Sequence, residues 1–543
     1  MALYGSTVWE IRTDGSDALN SGGFAPAAAG LPTDLVATNA NTTSPVVTSA
    51  SYSFQAGDVG HYLFVRSGTN WYPGWYRIVS VNAGAATIDA SITAVVRYAG
   101  WGSVLAPTAS GCASVASPTG GTWAIDYSQA STRAFALTGV TTAGADAILL
   151  TASATKAMTG NVVRITAGTN FTAGFYAITA VTTGVSITLD RTCTTAAGAA
   201  GAVSIGGALA SIGLVGSLLV ANNTVFIRSG TYLVTSATTN IAGGCMTVVH
   251  PTGYISVHGY GSSRLDSTAR PILRASGISS FTLINYSGDT SIWSNLELDG
   301  AGLSSGKGIW ASGNNRVGYV VNCVFRNFTN NALSATGTRS AYAANCLATG
   351  CSTQPAFHSS SVNTFKNCVA INNTATGFAM ASAWALDCIS ANNTGATSDG
   401  FNTNGNNYAN FIGCVAYGNG RDGIRIEGAS GHVPNCVAVS NGGYGVNVTT
   451  YAAFPAEGVA LWGNTSGGIA NSTLFWRNNT ITLSASPFVD AANGDFRLND
   501  TPGGGALLRS VGYPSAFPGL PLTTNFGDIG AVQTSPARSG WGV

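Results

Sequence analysis

The chain has 543 residues, long enough for two or three domains and a large buried core, and its net charge is only +1. Hydrophobic residues make up 45% but charged ones 8%, against about 25% in an ordinary globular chain, and no basic block exists to replace phosphate counterions, so nucleic-acid binding is not expected. No apolar run approaches the roughly 20 residues of a membrane span, so membrane insertion is not expected either, and the recurring Val, Ile, Leu and aromatic residues exclude disorder.

At the start of the chain, Met1 to Arg12 contains Glu10 and no apolar core behind a basic end, so no secretory signal peptide is expected there. Polarity comes from 70 Gly together with Ser, Thr and Asn. Among good helix formers only Ala is plentiful, and Gly and Asn punctuate short β-branched runs, which reads as all-β. Residues 60–89 and 160–190 align at an offset of 100, with Gly60, Gly68, Thr69, Asn70, Gly74 and Tyr76 recurring as Gly160, Gly168, Thr169, Asn170, Gly174 and Tyr176. Each copy predicts a strand, a Gly-Thr-Asn turn, a strand, a turn and a strand. Two duplicated small β-modules are therefore expected, at residues 1–107 and 108–207. Aromatic rings crowd the first, where Trp71 and Trp75 are candidates to hold sugar rings; packing between modules is the alternative use of such rings. A Gly-rich connector, residues 194–207, leads into a short helix or irregular cap at 208–221.

The next part, residues 208–500, is governed by its cysteines. Six recur in one context, at Asn322-Cys323, Asn345-Cys346, Asn367-Cys368, Asp387-Cys388, Gly413-Cys414 and Asn435-Cys436, with gaps of 23, 22, 20, 26 and 22 residues. An even total of ten cysteines invites a disulfide framework, but a fixed period of this size marks a repeat architecture. Each unit holds two or three short extended runs broken by Asn and Gly, too short for a helix pair, so each is one coil of a β-solenoid. Stacked coils place equivalent residues about 4.8 Å apart, and the cysteines would form a ladder of buried thiols. Asn at the turns tolerates left-handed backbone angles, and its amide bonds to backbone groups or to the next Asn. The expected fold is a right-handed parallel β-helix preceded by the two modules, with residues 501–543 as a closing cap or tail.

Catalysis on glycans needs paired carboxylates, or acids beside a basic catalyst. Glu297 and Asp299 lie two apart on one strand and share a face, with Asp299 falling opposite Arg326 in the coil register. A second cluster comprises Asp399, Arg421, Asp422, Arg425 and Glu427. Its acids are the better catalytic candidates and its arginines the candidates for glycan binding; charge pairing on a solvated turn is the alternative for both clusters. Histidines 61, 250, 258, 358 and 432 show no metal spacing, and neither a metal nor another cofactor is expected.

The run Val225-Phe226-Ile227-Arg228-Ser229-Gly230-Thr231-Tyr232 and the Asn-Cys-Val-Ala coil motif resemble pectate-lyase-like β-helix proteins. So do the closing runs Pro487-Phe488-Val489-Asp490-Ala491-Ala492-Asn493-Gly494-Asp495 and Gly527-Asp528-Ile529-Gly530. The start, Val8-Trp9-Glu10-Ile11-Arg12 with Asp14-Gly15-Ser16-Asp17, and the paired modules resemble β-helix proteins of phage and prophage genomes. The resemblance implies a virion protein of tail-fibre or tailspike type, assembled in the host cytoplasm and exposed after lysis. The fold hosts lyases, hydrolases, adhesins and inert spikes alike, and the scarcity of paired acids favours receptor binding over cleavage. Expected partners are host surface glycan, other virion proteins and two further copies of the chain. The homotrimer rests on a second apolar file, Val369 and Ile371, Val415 and Tyr417, Val437 and Val439, which points away from the thiols and would need covering. A polysaccharide-degrading enzyme and a head-attached decoration fibre are the alternatives.

Overall fold

The computed structural model describes residues 6–532 apart from 27, 95–110, 131–134, 249–252, 263, 265, 288–289, 313–317, 337–340, 361–362, 406–407, 428–429, 450–453, 472–474, 510 and 513–527. The expected module boundary at 107/108, His250, Gly527 and the final stretch from residue 533 lie outside the described residues. Two compact units are formed: one of residues 1–232, 238–246 and 252–271, the other of 233–237, 247–251 and 272–543.

In the first unit the duplication is visible strand for strand. Tyr62–Ser67 pairs antiparallel with Gly74–Asn82, placing Leu63 opposite Tyr76, and Val162–Phe171 pairs with Gly174–Thr182, placing Val163 opposite Tyr176. Both Gly-Thr-Asn turns need left-handed backbone: Gly68 and Gly168 have φ of 147° and 141°, Asn70 and Asn170 have 68° and 64°. A Cβ on Gly68 would stand 2.5 Å from the Trp71 ring, and one on Gly168 would stand 2.5 Å from the Phe171 ring. The two glycines thus let each aromatic fold back over its own turn. The second module closes into a barrel, running from Phe135–Thr142 to Thr194–Ile205, whereas the first stays an open sheet.

The module boundaries differ from those expected. Thr122–Asp126 pairs with Tyr62–Ser67, so the first module extends past residue 107, and the second begins its strands at Phe135. Val8–Ile11 belongs to neither module. It lies parallel to Thr224–Arg228, Val8 beside Thr224 and Ile11 beside Ile227, and is followed in the sheet by Gly23–Phe24. Here an N-terminal strand covers the open edge of the first coil. The short helix expected near residue 208 is present at Ile212–Leu218.

Glu10 sits in the middle of that strand with no exposed surface. Its carboxylate pairs with the Arg264 guanidinium at 2.8 Å, and the same arginine reaches Asp126 at 2.7 Å and the Ser128 hydroxyl at 3.0 Å. Tyr260 donates to Glu10 and Trp75 donates its indole N–H to Asp126 at 3.0 Å. Burial still pushes the Glu10 carboxyl above its ordinary range, against the pull of Arg264.

The second unit is a right-handed parallel β-helix of three ladders. One coil runs through Thr364–Lys366 on the first ladder, Val369–Ile371 on the second and Phe378–Met380 on the third. The next coil repeats it with Trp384–Leu386, Ile389–Ala391 and Phe401–Asn402. The residue before each laddered cysteine has a φ between 51° and 64° (Asn345 53°, Asn367 51°, Asp387 53°, Gly413 64°), which turns the chain from first ladder to second within two residues. A second left-handed corner at Asn372 and Asn392 precedes a file of buried asparagines. Asn373, Asn393, Asn419 and Asn441, with the partly exposed Asn464 at the end, are joined amide to amide at 2.8–2.9 Å.

All ten cysteines are buried, and no disulfide joins any of them among the described residues. The laddered thiols donate to backbone carbonyls of the preceding coil, Cys346 to Val320 at 3.4 Å and Cys436 to Phe411 at 3.2 Å. Thiol and middle strand residue (Cys368 and Ala370, Cys414 and Ala416) point inward, beside stacked Phe357, Phe378 and Phe401 rings whose centroids are 4.9 Å apart.

The outward apolar file of the second ladder exists as expected, but the chain covers much of it itself. Phe488–Asp490 and Asp495–Leu498 form an antiparallel pair. With Leu483, Leu508 and Ile529 they bury Val415, Val437, Val439 and Ala460, and they pack against Ile371, Ile389, Tyr417 and Trp462. The closing segment therefore lies along the flank of the helix and not only over its last coil. A case for three copies built on this file lying bare loses its premise over those coils.

Candidate functional site

Two residues ahead of successive third-ladder strands stand Thr376, Asp399 and Asp422, and Tyr444, in register with them, opens the strand of the next coil. The side chains of Thr376, Asp399 and Asp422 each cap the backbone N–H of the next coil. The Thr376 hydroxyl accepts from Asp399 N at 3.2 Å, the Asp399 carboxylate from Asp422 N at 3.2 Å, and the Asp422 carboxylate from Tyr444 N at 2.9 Å. The close approach demands small neighbours: a Cβ on Gly443 would stand 2.4 Å from Asp422 Oδ1.

Charge partners then saturate both acids. Arg421 forks onto Asp399 with contacts of 2.7 and 2.5 Å, and Asn402 adds a third bond at 2.9 Å. Asp422 accepts from Asn447 at 2.7 Å and from Arg425 at 3.2 Å, while Arg425 also holds Glu427 at 2.5 Å. Asp399 has no exposed surface and Asp422 almost none. Burial raises the Asp399 pKa despite Arg421, and the bond to Asp399 raises that of Arg421. The five charged residues of the sequence cluster thus form one network. Its carboxylates are occupied acceptors, and the partly exposed guanidinium edges of Arg421 and Arg425 are what it offers to a ligand.

Glu297 and Asp299 lie on a different ladder. Asp299 is in register with Arg326, but that guanidinium turns to Glu297 at 2.8 Å, and Asp299 takes Arg274 from the preceding coil at 2.8 Å. Asn327 completes the coverage of Asp299 at 3.0 Å.

The two candidate tryptophans present no face to a sugar. Trp71 and Trp75 are buried, their indole N–H groups bonded to the Thr119 carbonyl and to Asp126. Crowding of aromatics in that module serves two buried clusters: Trp71 folds over Gly68 in the module's own core, and Trp75 lies tilted against Phe64 at 4.5 Å in a cluster with Val8, Phe24, Phe226 and Tyr260.

A different aromatic set does face outward. On the first ladder Tyr319, Tyr342, Thr364, Trp384, Asn410 and His432 follow one another in register. The signal was available in the sequence, because each stands four residues before a laddered cysteine.

No family model matches the chain, and no curated protein matches it. Solved structures similar to it include the pectate lyase Pel9A, at 16% identity and a TM-score of 0.42 over 60% of this chain and 91% of that one. ORF18 of Geobacillus virus E2 matches at 13% identity and a TM-score of 0.34 over 48% of this chain and 52% of that one. The A-module of the mannuronan C-5 epimerase AlgE6 of Azotobacter vinelandii matches at 18% identity and 0.33, over 48% of this chain and 75% of that one.

Proposed function

We propose that this chain is a glycan-binding structural protein of a bacteriophage particle, a tail fibre or tailspike. One observation carries the preference for binding over cleavage: Asp399 and Asp422 are each held by several donors, among them an arginine and a backbone N–H of the next coil. A general acid must present a proton and a general base a lone pair to the substrate. These carboxylates instead spend their acceptor capacity on holding adjacent coils together. What supports the phage setting is the resemblance of Val8-Trp9-Glu10-Ile11-Arg12 and of the paired modules to β-helix proteins of phage genomes.

The second reading, a polysaccharide lyase or glycosidase, has one observation in its favour, the raised pKa of buried Asp399. Incubation with purified host surface polysaccharide separates the two. Binding is expected without release of reducing ends or of unsaturated uronate absorbance; turnover that disappears in Asp399→Asn would establish the enzyme instead. Antibody labelling of intact particles under the electron microscope tests the setting, with label expected on the tail; label on the head would indicate a decoration fibre.

A further inference from the structure

The three outer faces of the β-helix differ in what they leave bare. The second ladder is flanked by the closing segment, and the third carries the acid–arginine network. Between residues 272 and 480, the large hydrophobic side chains exposed among the described residues are Tyr319, Trp384 and Tyr408, with 38%, 44% and 64% of their surface free. All three lie on the first ladder, and all three are aromatic.

They are arranged as a file. Tyr319 lies beside Tyr342 with ring centroids 6.0 Å apart and planes tilted by 56°, and Thr364 separates Tyr342 from Trp384. Coil stacking sets Tyr319 and Trp384 three steps apart, about 14 Å at about 4.8 Å per step. Tyr408 stands on the strand after Trp384, two residues ahead of Asn410. Lys366 lies two residues beyond Thr364 on the same strand, and no acid is within ion-pair distance of it among the described residues.

We infer that this face of the first ladder binds an extended polysaccharide bearing anionic substituents, laid along the axis of the β-helix. Three features select that occupant. Aromatic rings set along one file at whole multiples of the coil spacing offer separate platforms on which the C–H faces of pyranose rings of one chain can stack. Thr364 and Asn410, interleaved between the rings, supply hydrogen-bond donors and acceptors for hydroxyl groups and break up the contiguous apolar patch that a protein partner would need. The positive charge of Lys366 complements a carboxylate or phosphate on the chain. The inference rests on the glycan-binding reading above and adds to it the face, the ligand's direction and its charge.

The test uses the full-length protein and immobilised host surface polysaccharide, read by biosensor. Trp384→Ala and Tyr319→Ala are each expected to weaken binding by about tenfold or more, the loss typical of a central aromatic contact. Trp384→Phe should keep most of the affinity. Lys366→Ala should remove part of the binding and flatten its dependence on salt. These side chains are exposed, so an unchanged melting temperature verifies that the variants fold. Wild-type binding that survives Trp384→Ala and Tyr319→Ala intact would overturn this assignment while leaving the glycan-binding reading standing; a wild type that binds no host polysaccharide would overturn both. Should Trp384→Ala instead lower the mass of a self-associated wild type in light scattering, the face is a contact between copies and the assignment is wrong.

Discussion

Asn419 donates its side-chain amide to the side-chain carbonyl of Asn441, 2.9 Å away and one coil further on. Its own carbonyl accepts from both the backbone and the side chain of Asn393. Every interior member of the file is therefore donor to one neighbour and acceptor to another, in a place that water does not reach. Asn419→Ala strands buried donors on Asn393 and is expected to cost about 1–3 kcal/mol for each group left unsatisfied. Asn464, partly exposed at the end of the file, should be cheaper to replace. Denaturant midpoints of the two variants against wild type decide whether position along the file matters.

The laddered thiols should be chemically silent. Burial pushes Cys346, Cys368, Cys388 and Cys414 well above the ordinary thiol range, so almost no thiolate exists at neutral pH. A thiol reagent is expected to label native protein slowly and all ten cysteines after denaturation. Cys368→Asp should destabilise by roughly 3 kcal/mol or more through a buried charge without a partner. Rapid native labelling of Cys368 would contradict the inward placement.

Arg264→Met should be severe in the first unit, because it strands Glu10 and Asp126 without their cation. A loss of about 3–5 kcal/mol is expected from breaking a fully buried network at one member. Adding Glu10→Gln and Asp126→Asn to the same chain should restore much of it, since the penalty lies in the uncompensated charges. Thermal melts of the single and triple variants give the comparison.

Phe496 is a keystone of the closing segment, packed edge-on against Phe488 at 5.3 Å and against Tyr417 at 5.7 Å. Phe496→Ala is expected to cost about 3–5 kcal/mol. A chain ending after Thr482 should keep its β-rich spectrum but bind hydrophobic dyes and self-associate through the uncovered Val415, Val437 and Tyr417. A truncated chain that stays monodisperse and dye-free would mean that the flank does not need its cover.

The coil register was legible from the spacing of six cysteines, because a residue type that is buried at one turn is buried at its equivalents. The same period exposed the left-handed corners, since Asn, Asp and Gly precede the thiols. Pairing across long separations was not legible: Val8 meets Thr224, and nothing local in Val8-Trp9-Glu10-Ile11 announces a solenoid strand. The aromatic crowd at Trp71 and Trp75 leaves sugar binding and packing both open in the sequence, because composition does not report which way a ring turns; Gly68 opens the room into which Trp71 folds. Conversely the exposed file of Tyr319 and Trp384 was in plain view four residues before the thiols. The position four residues before each thiol varies while the thiol repeats, and such a variable outward position is where a scaffold of stacked coils is free to carry function.

The long reach of the N-terminal strand also orders events at the ribosome. Val8–Ile11 emerges early, yet its partner Thr224–Arg228 and the arginine that neutralises Glu10 are made more than two hundred residues later. Both β-modules lie between them and can complete their own sheets first, at synthesis rates of about 5–20 residues per second. For tens of seconds the segment Val8-Trp9-Glu10-Ile11 is an apolar strand with a vacant edge and an ionised glutamate. Burying that carboxylate before Arg264 is made would leave it without its cation, a costly arrangement, so docking of the strand is expected to wait for the arginine.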